Sequence, residues 1–290
     1  MTVHTTTATP AVHVPESLAE AVALLSDGTA EALAGGTWIM RGEVHGVGYS
    51  PAFVLVSKLP ELHRLEFTDE GLVVGAGVTH DRLAAFLAGD PRFEGLHTAA
   101  RKSANPAVRR MATVGGNLGT IDFQAADLAP ALLAAAASVT LVDRDGTRTI
   151  PLAEFLPARR ELLPRALITH LTVPIPEGLS VHERLTMRKA GDYPVAIVHL
   201  HVTLNDDGTV GTATVALGSV EESPRLWPEF AEALVGSRLN ASAAESAAGE
   251  LTSGLNARDG VEAAGWYRLR LLQALVKKAV QTLERKAEAR

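Results

Sequence analysis

Apolar residues recur at helical spacing in Leu18, Ala21, Val22 and Leu25, just after Ser17 and Glu20, which stand in capping-box spacing. The pattern predicts an amphipathic helix ending near Asp27-Gly28. Ala30 to Ala34 and Phe53 to Ser57 read as strands around Gly35-Gly36 and Thr37-Trp38-Ile39-Met40, a βαβ-like segment. Leu65 to Thr68 and Leu72 to Val78 flank Asp69-Glu70-Gly71 and read as a hairpin. Thr79 then caps a helix to Leu87, a second helix runs from Leu96 to Ser103, and Asn105-Pro106 sits in a loop. Thr113 to Asn117 carries a second Gly-Gly pair before an Ala-rich helix from Asp127 to Ala136. Strands at Val139 to Asp143 and Thr147 to Ile150 turn around Asp145-Gly146.

Past Pro174-Ile175-Pro176 the pattern changes. Ala196, Val198, Leu200, Val202 and Leu204 alternate with other residues, and Asp206-Asp207-Gly208 turns the chain into Thr209 to Leu217, an antiparallel hairpin. From Pro224 onward the chain reads as helical, punctuated by Asn240 and Gly260, with a long last helix carrying Leu269, Leu272, Leu275, Val276 and Val280. Trp227, Trp266 and Tyr267 read as packing anchors there. No internal repeat is evident.

Composition narrows the function classes. With 290 residues and 47% hydrophobic content, the chain can bury more than one core and leave a cleft between them. A formal charge of -6 without a long Lys/Arg run lacks the footprint for nucleic-acid or anionic-membrane binding. The absence of cysteine excludes disulfides, zinc-thiolate sites and iron-sulfur clusters ligated by this chain, so any redox role needs an organic cofactor or a partner. Met1 to Pro10 is Thr-rich and reads as a disordered tail, not a signal peptide, and a cytoplasmic location is expected. The apolar run from Leu128 to Val139 is shorter than the ~20 residues of a membrane helix.

Candidate chemistry centres on the two Gly-Gly segments. Glycine lets backbone approach a ligand, successive N–H groups can form an anion-binding nest, and Thr37, Thr113 and Asn117 add side-chain donors, which together suit a pyrophosphate. Tight turns would explain the same pairs, and neither has the GxGxxG spacing. His199 and His201 share one face of a strand, but no third ligand stands nearby, so they read as the polar face of a half-buried strand. No GxSxG elbow is present, which disfavours hydrolysis.

Ala34-Gly35-Gly36-Thr37 followed by Met40-Arg41, and Ala112-Thr113-Val114-Gly115-Gly116-Asn117-Leu118, resemble the two FAD signatures of the molybdenum hydroxylase flavoprotein family, which includes the medium subunits of xanthine dehydrogenase and carbon monoxide dehydrogenase. Pro15 to Leu25, Ala126 to Leu133 and Trp266-Tyr267-Arg268 resemble further stretches of that family. The resemblance implies an α+β fold: a two-part FAD-binding domain of the PCMH (vanillyl-alcohol-oxidase-like) type over residues 11–176, divided into 11–60 and 61–176, then a C-terminal domain of small antiparallel sheet and helices over 177–290. It implies FAD held by Leu33, Ala34, Gly35, Gly36, Thr37, Trp38 and Ile39 and by Thr113, Val114, Gly115, Gly116 and Asn117. Asp127 would accept a ribityl hydroxyl, with Asp122 as fallback and an N-cap on the Ala-rich helix as the alternative role. Lys189 would bring positive charge to the isoalloxazine.

The implied role is a flavoprotein subunit of a molybdenum hydroxylase, taking electrons from 2Fe-2S clusters on one partner subunit and passing them to an external acceptor. Substrate oxidation would occur on a molybdenum-pterin subunit, in a dimer of heterotrimers. A self-sufficient FAD oxidoreductase and a non-catalytic scaffold that has lost FAD are the alternatives.

Overall fold

A computed structural model describes residues 9–41, 48–187 and 193–289, which fold around three hydrophobic cores. The first core lies under a small parallel sheet. It is built from β1 (Ala11–His13), α1 (Leu18–Leu25), β2 (Ala30–Leu33) and β3 (Ala52–Leu55), with strand order β1-β3-β2. Ser17 caps α1 by accepting from the Glu20 N–H at 3.2 Å, while the Glu20 carboxylate reaches back to the N–H of Glu16 at 2.7 Å, one residue earlier than a capping box requires. Ala21 and Leu25 then pack on Val54, Val56, Leu59 and Leu62. β3 stops at Leu55, short of the expected Ser57, because Val56–Lys58 winds into a 3-10 turn.

The second core surrounds a five-stranded sheet. Its elements are β4 (Leu65–Thr68), β5 (Gly71–Gly75), α2 (His80–Phe86), α3 (Glu94–Lys102), α4 (Pro106–Arg109), α5 (Val114–Gly119), α6 (Leu128–Ala134), β6 (Ser138–Asp143), β7 (Gly146–Pro151), α7 (Leu152–Leu162) and β8 (Leu167–Val173). The order β4-β5-β8-β6-β7 joins the two expected hairpins through β8, a central strand that local pattern did not disclose. The expected Asn105-Pro106 loop is the start of a helical turn: Asn105 caps it, accepting from Val108 N–H at 3.0 Å, and Pro106 takes the first helical position.

The third core lies between a four-stranded sheet and helices. β9 (Leu179–Thr186), β10 (Pro194–Leu204), β11 (Val210–Gly218) and β12 (Arg225–Leu226) are antiparallel neighbours in the order β12-β11-β10-β9. Ala196, Val198, Leu200 and Val202 of β10 pack in one cluster with α8 (Pro228–Leu234), α9 (Ala241–Leu251) and α10 (Gly265–Glu288). Trp227 is buried and stacks on Phe230, but Trp266 is 66% exposed and meets the ring of its neighbour Tyr267 at 5.7 Å instead of sitting in the core.

His199 is not on a solvated face. A Cβ on Gly95 of α3 would sit 2.6 Å from its ring, and burial holds its pKa well below the usual value. The seam between the second and third cores is polar elsewhere as well. Ser180 accepts from the Gly95 N–H at 3.0 Å, and Lys286 of α10 pairs with Glu94 of α3 at 2.8 Å. No helix among the described residues is long and apolar enough to cross a membrane.

Candidate functional site

The two Gly-Gly segments meet. A Cβ added to Gly35 would lie 1.9 Å from the carbonyl oxygen of Met111, so the first segment rests directly on the backbone that enters the second. Gly115 is placed the same way, with a hypothetical Cβ 2.7 Å from the Cβ of Ala76. The second glycine of each pair behaves differently. Among the described residues, Gly36, at φ +67°, has only side-chain atoms of Met40 and Leu33 near it, and Gly116 meets only Thr113 Oγ1. In each pair the first glycine therefore permits inward packing and the second leaves the outer side clear.

The segments differ in their hydrogen bonds. The N–H groups of Val114 and Gly115 donate to Val78 and Ala76 carbonyls at 2.9 and 2.8 Å, while those of Gly116 and Asn117 donate to Thr113 Oγ1 and Thr113 O. The anion nest expected there is thus already occupied by the protein's own acceptors, since the segment is the capped first turn of α5. Asn117 turns its Oδ1 to the N–H of Leu128 at 3.3 Å, tying α5 to α6. By contrast, among the described residues no hydrogen bond takes up the N–H groups of Gly36, Thr37 or Ile39. The first segment is the one with donors to offer.

Beside it stands an aromatic group assembled from three distant parts of the chain. Trp38 lies 4.7 Å from Phe123 and 5.9 Å from Tyr193, ring centre to ring centre, and Phe123 lies 5.5 Å from Tyr193. Arg41 donates to the Tyr193 hydroxyl and lies over its ring at 5.7 Å. Arg159 of α7, 4% exposed, donates to the Leu118 and Ile121 carbonyls, both at 3.3 Å, and so fixes the backbone running from the second glycine segment to Phe123.

Asp127 is 1% exposed at the seam between the second and third cores. Its Oδ1 lies 2.7 Å from Arg184 Nε and 3.5 Å from His182 Nε2, and His182 in turn faces His199 at 3.4 Å. It does not cap α6: its backbone is helical and its side chain makes no capping bond. Its Oδ2 is buried with no hydrogen-bond partner, an acceptor left over. Asp122 is exposed and paired with Arg160 at 3.0 Å. Lys189 lies outside the described residues. His80, 3% exposed, bonds Ser103 Oγ through Nδ1 at 2.7 Å, and burial lowers its pKa to about 4. The described residues contain no group of three or more His, Asp or Glu side chains arranged to hold a metal.

Residues 6–176 match the family described as the FAD binding domain in molybdopterin dehydrogenase. The chain belongs to this family. Residues 184–283 match, in addition, the C-terminal domain of CO dehydrogenase flavoproteins. The carbon monoxide dehydrogenase medium chain of Afipia carboxidovorans is 27% identical over 286 residues, covering 95% of this chain and 97% of that one. The 6-hydroxypseudooxynicotine dehydrogenase complex subunit alpha of Paenarthrobacter nicotinovorans is 28% identical, covering 92% of both. Among solved structures, quinoline 2-oxidoreductase from Pseudomonas putida 86 shares the fold at a TM-score of 0.87, 24% identity and coverage of 97% and 98%. The protein is therefore the flavoprotein component of a molybdenum-containing oxidoreductase, and FAD is its cofactor.

The residues present suit that cofactor. Free N–H groups at Gly36, Thr37 and Ile39 fit a pyrophosphate, the aromatic group fits a flat ring, and the leftover Asp127 oxygen fits a hydroxyl donor. Phe123, Arg159 and Arg184 escaped the sequence reading. None carries a local motif, and each matters through a partner far away in the chain.

Proposed function

We propose that this chain holds FAD across the two glycine segments and passes electrons from 2Fe-2S clusters of one partner subunit to an external acceptor, within a cytoplasmic assembly that also contains a molybdenum-pterin subunit. FAD, when bound, supplies the exchange between paired and single electrons that amino-acid side chains do not provide. The chain's own residues bind and orient it.

In this reading Leu33 to Ile39 receive the pyrophosphate through the N–H groups of Gly36, Thr37 and Ile39. Gly35, Val114, Gly115 and Gly116 shape the floor, the Thr113 hydroxyl and Asn117 border it, and Asp127 accepts a ribityl hydroxyl through Oδ2. Trp38, Phe123 and Tyr193 wall the isoalloxazine and keep water from it, with Arg41 and Lys189 contributing positive charge. The FAD-binding unit spans 11–176 and the C-terminal unit 177–290, and the assembly is a dimer of heterotrimers. Relatives named as medium chains of dehydrogenases and as the medium subunit of a hydroxylase support the multisubunit setting.

The observation that carries the proposal is the contact of the two glycine segments at Gly35 and Met111, next to the aromatic group. The test is an absorption spectrum of the purified chain, with and without co-expressed partners, and analysis of the flavin released. Stoichiometric FAD in complex with an iron-sulfur partner is the expected result. A folded chain without flavin, alone or in complex, would refute it, and substrate turnover by the isolated chain would point to a self-sufficient oxidoreductase.

A further inference from the structure

Arg268, in the first turn of α10, has no solvent exposure at all. A buried guanidinium must find acceptors for its fixed fork of donors, or it destabilises the fold. It finds four. Nη1 donates to the carbonyls of Val195 at 2.7 Å and Ser219 at 3.0 Å, Nε donates to Arg258 O at 3.1 Å, and Nη2 faces the Glu262 carboxylate at 3.3 Å.

The two acceptors of Nη1 lie beside the aromatic group. Val195 is two residues beyond Tyr193, at the start of β10. Ser219 follows β11, holds φ +62°, and donates its Oγ to Gln124 O at 3.4 Å, one residue beyond Phe123. One side chain thus reaches the backbone next to Tyr193 directly and the backbone next to Phe123 through Ser219. The neighbouring buried residues of α10, Leu272, Leu275 and Val276, face the third core. If Arg268 served only to fill that core, an apolar residue of similar volume would do so without the desolvation cost of a charge.

We propose that Arg268 is a positioning residue for the flavin ring: it ties the backbone beside Tyr193 and the backbone beside Phe123 to one rigid guanidinium on α10, and so sets how these two touching rings stand against the flavin. This rests on the reading of Trp38, Phe123 and Tyr193 as the ring's walls. Arginine suits the task because its planar fork fixes direction as well as distance, which a lysine ammonium does not.

The test uses the whole chain co-expressed with its partner subunits, in the variants Arg268→Met, Arg268→Lys, Ser219→Gly and Leu272→Ala. Melting temperature, FAD affinity, and the fluorescence and visible circular dichroism of bound flavin are measured for each. Arg268→Met weakens FAD at least tenfold and brightens the flavin, as the rings that quench it shift. Arg268→Lys shifts both readouts part of the way, and Ser219→Gly alters the flavin signal with little change in melting. Leu272→Ala lowers melting but leaves the flavin signal as in the wild type. Wild-type affinity and spectra in Arg268→Lys and Ser219→Gly would overturn the proposal. So would Leu272→Ala reproducing the flavin changes of the Arg268 variants. Trp38→Leu and Tyr193→Leu check the underlying reading: unchanged flavin spectra in both would remove the walls themselves, while changed spectra there and none at Arg268 would remove only the tie.

Discussion

Gly35→Ala should uncouple the two glycine segments. The new Cβ would start 1.9 Å from Met111 O and 2.7 Å from Met111 C, both backbone atoms that cannot swing aside as a side chain does. The segments would have to part by about 1 Å or more, and overpacking of this kind costs ~1–3 kcal/mol. If that cost falls on the geometry that receives FAD, affinity drops roughly ten- to a hundredfold, since each ~1.4 kcal/mol is a factor of ten. FAD titration by fluorescence quenching, beside thermal melting of the FAD-free protein, measures both effects. Gly48→Ala is the matched control, because no atom of the described residues lies within 4 Å of its Cβ position. Gly36→Ala should also weaken binding, by backbone strain at φ +67° of ~1–2 kcal/mol rather than by a clash. Binding of FAD and melting in Gly35→Ala like those of Gly48→Ala would show that the two segments are not mechanically joined.

Three further outcomes are expected. His80 stays neutral when folded, with its pKa lowered to about 4 from 6.5, so the unfolded chain takes up the proton first as pH falls. Stability from this group is complete above pH 6.5, is lost down to about pH 4 and levels off below, by at most about 3 kcal/mol at ~1.4 kcal/mol per pKa unit. Denaturation of His80→Gln across that range should show a flatter pH profile, and an unchanged slope would contradict the assignment. Arg184→Met leaves Asp127 buried without its 2.7 Å partner and should cost ~3–5 kcal/mol in urea unfolding, with Asp127→Asn partly restoring stability in the double variant. Arg159→Met strands the Leu118 and Ile121 carbonyls, at ~1–3 kcal/mol each, and should weaken FAD as well as folding. Loss of stability at wild-type FAD affinity would show that this backbone does not shape the site.

What the sequence disclosed was local. The Ser17 cap, the hairpin turns at Gly71 and Gly146, and the alternation along β10 each sit within a few residues of the element they specify. The glycine segments were visible for the same reason. β1 was not, because all three of its residues are exposed and its pairing among the described residues is a parallel one with β3. α7 was obscured by Pro157 inside it and by Arg159, a residue that reads as solvated until its carbonyl partners on another element are known. β8 carries His170 amid apolar residues and takes its central place from β5 and β6, which flank it from distant parts of the chain. The site follows the same division. Gly36 could be picked out from its own neighbours, whereas the meeting of Trp38, Phe123 and Tyr193, and the Arg184 partner that reaches Asp127 across the seam, depend on how the cores dock.

The position of Arg268 in the chain bears on when the protein acquires its cofactor. During synthesis from the N-terminus, both glycine segments, Phe123 and Tyr193 leave the ribosome before the arginine that bonds the Val195 and Ser219 carbonyls, and domains generally fold in that order. A nascent chain would therefore display the backbone proposed to receive phosphate well before it had a finished seat for the ring. Premature contact with FAD or free nucleotides would be weak and reversible, and durable loading would wait for α10 to dock. Maturation of this flavoprotein would then wait on the docking of α10, open to timing by whichever subunit first covers the completed fold.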